Sequence, residues 1–142
     1  MDETQELLKH LYETAEMGNY ACKVLLKDLE DKDNKIKSIL TGIQDDYQKY
    51  QEKLAKKLVN EKPTKGMMSK MMASMGIKKE VKNDNSDSSM AEVLIQGLTM
   101  GNIETEKKIK AYEGIVADEA IKLAKNFLKF QENNIEKLKK YL

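Results

Sequence analysis

Two pairs of side chains lie at the spacing that lets a helix aim both members at one point. They are Tyr47 and Tyr50, and Gln131 and Asn134. Residues i and i+3 share a helix face, and the two pairs are offset by 84 residues. Asn19 and Asn102, offset by 83, fall at a similar depth in their own segments. Amides and phenols are hydrogen-bonding groups, and at neutral pH they offer neither a charged base nor a strong nucleophile. Buried together they must pair with one another, and a central polar layer fixes helix register. The sharper alternative is a small-ligand cavity lined by the same six groups.

Other reactive residue types are sparse. His10 is the only histidine and lies near one end of its segment. Cys22 is the only cysteine, which excludes an internal disulfide and fits a reducing compartment. It falls in an apolar stripe, as an inert buried thiol would. The run Met67-Met68-x-x-Met71-Met72-x-x-Met75 has helical spacing. It reads first as adaptable packing material in a groove. An exposed surface for a protein partner, a thioether site for a soft metal and transient membrane contact are the alternatives. No glycine-rich phosphate loop or nucleophile elbow is present.

The elements that position these groups follow from periodicity. Leu8, Leu11, Ala15, Gly18, Cys22, Leu25 and Leu29 alternate spacings of three and four, which predicts a helix from about Glu3 to Asp31. A polar turn at 31–34 precedes a second helix to about Asn60, with Ile36, Leu40, Ile43, Tyr47, Tyr50, Leu54 and Leu58 inward. Residues 61–88 form a connection too long for a simple turn, with Pro63 near its start and a short Met-rich helix inside it. A capping box, Ser89-x-x-Glu92, then predicts a third helix to about Glu113, closed by Gly114. The fourth begins near Asp118-Glu119 with Ile121, Ala124, Leu128, Gln131, Ile135, Leu138 and Leu142 inward.

The two halves repeat. Met17-Gly18-Asn19-Tyr20 recurs as Met100-Gly101-Asn102-Ile103, and Glu52-Lys53-Leu54 as Glu136-Lys137-Leu138. Gly18, Gly97 and Gly101 are poor mid-helix residues. Their presence calls for close helix approach or for room beside them. The expected fold is an all-α single domain over 1–142. Hairpin 1 covers about 3–60, a crossover about 61–88, and hairpin 2 about 89–142. A helix of 26 residues is about 39 Å long, a length the connection can retrace.

On this organisation, with Gly18-Asn19-Tyr20 and the Gly97-to-Glu104 stretch, the chain resembles the ferritin-like and rubrerythrin-like superfamily. It is similar to small bacterial members with a short crossover helix. The resemblance implies a hairpin–crossover–hairpin four-helix bundle. Metal-loaded members carry a Glu on helices 1 and 3 and Glu-x-x-His on helices 2 and 4. Here the corresponding positions hold Tyr47, Tyr50, Gln131 and Asn134, so the standard di-iron centre cannot form within one chain. Glu16 and Glu104 are the weak remaining metal candidates. The expectation is therefore a non-catalytic binding or structural module without a cofactor. Its alternatives are a degenerate metal-binding protein and a carrier of a small apolar ligand.

Charge narrows the partners. Lys and Arg number 25 against 24 Asp and Glu, which argues against a dedicated nucleic-acid binder. No apolar run approaches the roughly 18 residues needed to span a bilayer. The acidic start lacks a hydrophobic segment, so no signal peptide is expected and a cytoplasmic location is. A protein partner or self-association remains as the mode of action.

Overall fold

The computed structural model describes residues 2–59 and 84–142. The methionine run Met67–Met75 and Pro63 lie outside the described residues. The described residues form four helices: α1 (Glu3–Asp28), α2 (Lys37–Ala55), α3 (Asp87–Tyr112) and α4 (Asp118–Lys139). Among the described residues there is no strand, and no helix is long and apolar enough to cross a membrane.

Helices 1 and 2 are shorter than periodicity predicts. Helix α1 stops at Asp28, where the Leu29 N–H turns back to the Leu25 and Leu26 carbonyls. Leu29 itself is fully buried, so the chain bends to keep it inside. Asn34 does not open α2. Its Nδ2 instead donates to the Asn85 carbonyl and the Asp87 carboxylate, both at 2.9 Å. Helix α3 starts earlier than the Ser89 capping box implies. Ser86, three residues upstream, has extended backbone and accepts from the Ser89 N–H at 3.2 Å. Ser89 is therefore a buried first-turn residue and not the cap. At the far end of α3, Glu113 and Gly114 make a type II turn. Glu113 has φ −60° and ψ 127°, Gly114 has φ +85°, and the Ile115 N–H closes on the Tyr112 carbonyl at 2.9 Å. That positive φ is why glycine occupies position 114.

Sequence neighbours pack as hairpins, α1 with α2 and α3 with α4. Helix α1 joins them by packing against α3 and, more lightly, α4. Direction is fixed by specific bonds. Gln5 near the start of α1 reaches the Lys57 carbonyl and the Val59 N–H just beyond the end of α2. Glu6 and His10 meet Tyr112 and Thr105, so α1 and α3 are antiparallel. The core is one cluster of apolar side chains, mostly aliphatic. Leu7, Leu11, Leu25, Leu40, Leu54, Met90 and Leu138 are among its fully buried members, each worth about 1.5–3 kcal/mol.

The inward face of α4 differs from the expected seam. Phe127 and Asn134 are fully covered, Leu128 and Ile135 only half, and Leu142 is exposed. The stripe is Ala120, Ala124, Phe127, Gln131, Asn134 and Leu138, still spaced by threes and fours but shifted in phase. The larger Phe127 ring wins the interior because Tyr47 and Tyr50 on α2 offer it aromatic faces.

Candidate functional site

The centre of the bundle is a hydrogen-bonded chain crossing three helices. The Tyr47 phenol on α2 donates to Gln131 Oε1 on α4 at 2.6 Å. Gln131 Nε2 donates to Asn102 Oδ1 on α3 at 2.8 Å. Both ends of the Gln131 amide are thus engaged. Tyr47 is fully buried, and burial holds its phenol well above its ordinary range. The neighbouring Cys22 acts in the same direction, while the Asn134 amide opposes it. The phenol therefore stays protonated and acts as a donor. Asn134 is buried on the same α4 face, with its Nδ2 outside hydrogen-bond geometry.

Six residues were expected to form one layer, and the structure splits them. Tyr47, Gln131 and Asn102 form the central chain, with Asn134 beside the phenol. Asn19 belongs to a second chain, donating to Gln51 Oε1 at 3.0 Å. Gln51 Nε2 in turn reaches the Tyr12 hydroxyl at 3.5 Å. Tyr50 leaves the polar layer altogether. It is half-buried and joins an aromatic cluster, its ring centroid 5.1 Å from Phe127 and 4.8 Å from Phe130. Sequence reading missed Gln51, Phe127 and Phe130. The visible signal was an i, i+3 pair of phenylalanines one turn before Gln131.

Two glycines frame this centre. A Cβ on Gly18 would lie 2.5 Å from the Tyr47 ring, so α1 approaches α2 closely because this position has no side chain. A Cβ on Gly101 would lie 3.3 Å from Gln131 Nε2 and 3.4 Å from Thr14 Cγ2, close enough that the amide would have to give by a few tenths of an ångström. A cavity of about 20 Å³ lies beside Thr14, Gly18, Cys22, Tyr47, Gly97 and Gln131. That is room for about one water. It is far below the roughly 300 Å³ of a typical organic-ligand pocket. Burial pushes the Cys22 thiol up to about 12, so it is protonated and unreactive. A groove of about 220 Å³ opens at one end of the bundle between Thr4, Leu8, Lys57, Ala117, Ala120 and Leu123. Its lining offers Lys57 and Glu119 as opposed charges and no convergent reactive groups.

His10 is not peripheral, as its sequence position implies. It is half-buried in the α1–α3 seam, with Nε2 2.9 Å from Thr105 Oγ1. The Thr105 hydroxyl donates to the Gly101 carbonyl at 2.8 Å. It therefore accepts from His10, which fixes the Nε2–H tautomer. Burial lowers the imidazole pKa to about 4, helped by Lys108 and opposed by Glu104. The ring is neutral at physiological pH, and its position is interhelical.

The donor set does not fit a resident di-metal centre. The side chains facing the middle are the protonated Tyr47 phenol, the Gln131 and Asn102 amides bonded to each other, and the Asn134 amide, none of them a charged ligand. Glu104 is exposed and 3.7 Å from Lys107, and Glu16 is half-buried on α1. Among the described residues no three His, Cys, Asp or Glu side chains gather in one place. The geometry can lock helix register; it presents no base–nucleophile pair. No family model, no curated protein and no solved structure matches this chain.

Proposed function

We propose that this chain is a non-catalytic helical bundle of ferritin-like topology that acts as a binding or structural module. The observation that carries the reading is the filled centre. Tyr47 packed on Gly18, and bonded through Gln131 to Asn102, takes up the space where bundles of this type place ligands. The topological part is supported by Asp87. At the start of α3, its carboxylate accepts from the Lys35 and Ile36 N–H groups at the start of α2. That contact supports α2 and α3 starting at one end, which is the parallel relation a ferritin-like topology requires.

The module would act through its surface, on another protein or on itself. The test is the metal and ligand content of protein purified without an affinity tag. Substoichiometric iron, manganese and copper, with no co-purifying small molecule in native mass spectrometry, is the expected result. Stoichiometric iron or manganese lost on Glu104→Ala would overturn it in favour of a degenerate metal site. A retained small apolar molecule would favour the carrier instead.

A further inference from the structure

The outer face of α3 carries a pattern that matches itself when reversed. Glu92, Gln96, Met100, Ile103, Lys107 and Lys110 are spaced by threes and fours, so they line one stripe of the helix. All six are exposed, Met100 at 53% and Ile103 at 49%. Read along the chain, the order is acid, amide, two apolar residues, base, base. Turn a second α3 end for end about a point between Met100 and Ile103. Met100 then faces Ile103, Gln96 faces Lys107 and Glu92 faces Lys110, each contact occurring twice.

We propose that this face pairs two copies of the chain, α3 against α3, antiparallel about a two-fold axis. The inference rests on the binding-module reading and names the partner as a second copy. A two-fold interface must be self-complementary, and this stripe is. Antiparallel alignment also sets each helix N-terminus near the C-terminus of its neighbour, which opposes their macrodipoles favourably. The repeat provides an internal contrast. The equivalent α1 positions are Lys9, Glu13, Met17, Tyr20, Val24 and Lys27. The same reversal there would set Lys9 against Lys27, and Met17 is already buried in the core. Of these two faces, α3 is the one that offers both exposure and charge complementarity. A single helix face buries an area at the low end of specific interfaces, below about 1,200 Å², so the dimer is of micromolar strength or weaker.

The decisive experiment uses charge reversal and sedimentation equilibrium over micromolar to sub-millimolar protein at low salt. The full chain should dimerise, and Ile103→Glu should weaken dimerisation by about tenfold or more. Glu92→Lys sets Lys against Lys at both contacts, and Lys110→Glu sets Glu against Glu. Each variant alone should be monomeric. Mixed in equal amounts, they should form a heterodimer, because both contacts are then attractive. The double variant should recover self-association. Unchanged circular-dichroism melts establish that these surface changes leave the fold intact. A wild-type monomer throughout the range overturns the proposal, as does a mixture that stays monomeric while the wild type dimerises. Either failure leaves the non-catalytic reading to be judged by metal content.

Discussion

The two hairpins share a plan and differ in what fills it. Thr4 and Asp87 are equivalent under the 83-residue offset, and each serves the opposite hairpin. Asp87 accepts from the backbone at the start of α2, and Thr4 Oγ1 accepts from the Ala117 N–H at the start of α4 at 3.3 Å. Neither α2 nor α4 has a side-chain cap of its own. Each borrows one across the bundle, which ties local helix stability to the docking of the hairpins. At the centre the equivalence breaks. Gly18 faces the Tyr47 ring, whereas Gly101 faces the Gln131 amide. Tyr47 and Gln131, themselves offset by 84, bond to each other. The repeat thus supplies an approximate two-fold plan. The departure from it supplies one donor and one acceptor where two identical groups would compete.

The largest effect should come from removing that centre. Gln131→Leu leaves the Tyr47 hydroxyl and Asn102 Oδ1 without partners. At about 1–3 kcal/mol for the fully buried Tyr47 hydroxyl and about 1 kcal/mol for the half-buried Asn102 oxygen, the loss should be about 2–4 kcal/mol in urea unfolding. Adding Tyr47→Phe should recover part of it, because one orphaned donor disappears. Equal stability of the single and double variants would show that the bond does not organise the core.

Next is the glycine pair. Gly18→Ala gains about 1 kcal/mol of helix propensity but drives a methyl into the Tyr47 ring, an overpacking cost of about 1–3 kcal/mol. Gly101→Ala meets only the Gln131 amide and the Thr14 methyl, which need yield by a few tenths of an ångström. The first should be neutral to destabilising and the second neutral to stabilising, a gap of about 2 kcal/mol. A reversed order of melting temperatures would remove close approach as the reason for Gly18.

The seam between the hairpins differs at its two ends in response to acid. His10 and Thr105 occupy one end, and their repeat equivalents, Val93 and Cys22, are apolar and buried. The folded-state pKa of His10 is lowered from 6.5 to about 4. The unfolded chain therefore binds more protons between those values. Stability is full above 6.5 and falls as pH drops toward 4. The loss should be about 1 kcal/mol between pH 7 and pH 5.5. His10→Gln keeps a donor for Thr105 and should flatten that slope. Glu13, whose pKa is raised by burial, acts with the opposite sign and nearer the carboxylate range. A slope unchanged in His10→Gln would assign the pH dependence to other groups.

How much of this was legible depended on whether the signal was periodic or pairwise. The four helices, the acids opening α4 and the glycine after α3 follow from spacing and residue type. So does burial at Leu40, Tyr47, Ala124 and Gln131. The phase of α4 did not, because Phe127 and Leu128 are equally apolar and the Tyr47 and Tyr50 rings on another helix decide between them. His10 near a helix end looks peripheral until antiparallel packing brings Thr105 beside it. The Ser89 capping box competed with an equivalent Ser86 three residues earlier, and local pattern cannot rank two similar hydroxyls. Among the site residues, Tyr47, Gln131 and Asn102 were expected as one layer and meet as a chain. Asn19 and Tyr50 were drawn away by Gln51 and Phe130, partners that only tertiary packing supplies.

The smallest effect concerns the borrowed caps, and it tests whether they are equal in strength as well as position. Asp87 brings a charged carboxylate to the Lys35 N–H at 3.2 Å, the Ile36 N–H at 3.4 Å and the Asn34 amide at 2.9 Å. It also lies in the first turn of its own helix, where negative charge is favoured. Thr4 brings one neutral hydroxyl to one N–H at 3.3 Å. Asp87→Ala should therefore cost about 1–2 kcal/mol and Thr4→Ala about 0.5 kcal/mol. The location of the damage is as informative as its size. Amide hydrogen exchange should quicken at the start of α2 in Asp87→Ala, although the substitution lies in α3. In Thr4→Ala it should quicken at the start of α4, although the substitution lies in α1. Faster exchange confined to the mutated helix would mean that the reciprocal contacts do not hold the partner helix. The two hairpins would then be joined by their apolar seam and by the Tyr47–Gln131 and His10–Thr105 bonds, with no help from the borrowed caps.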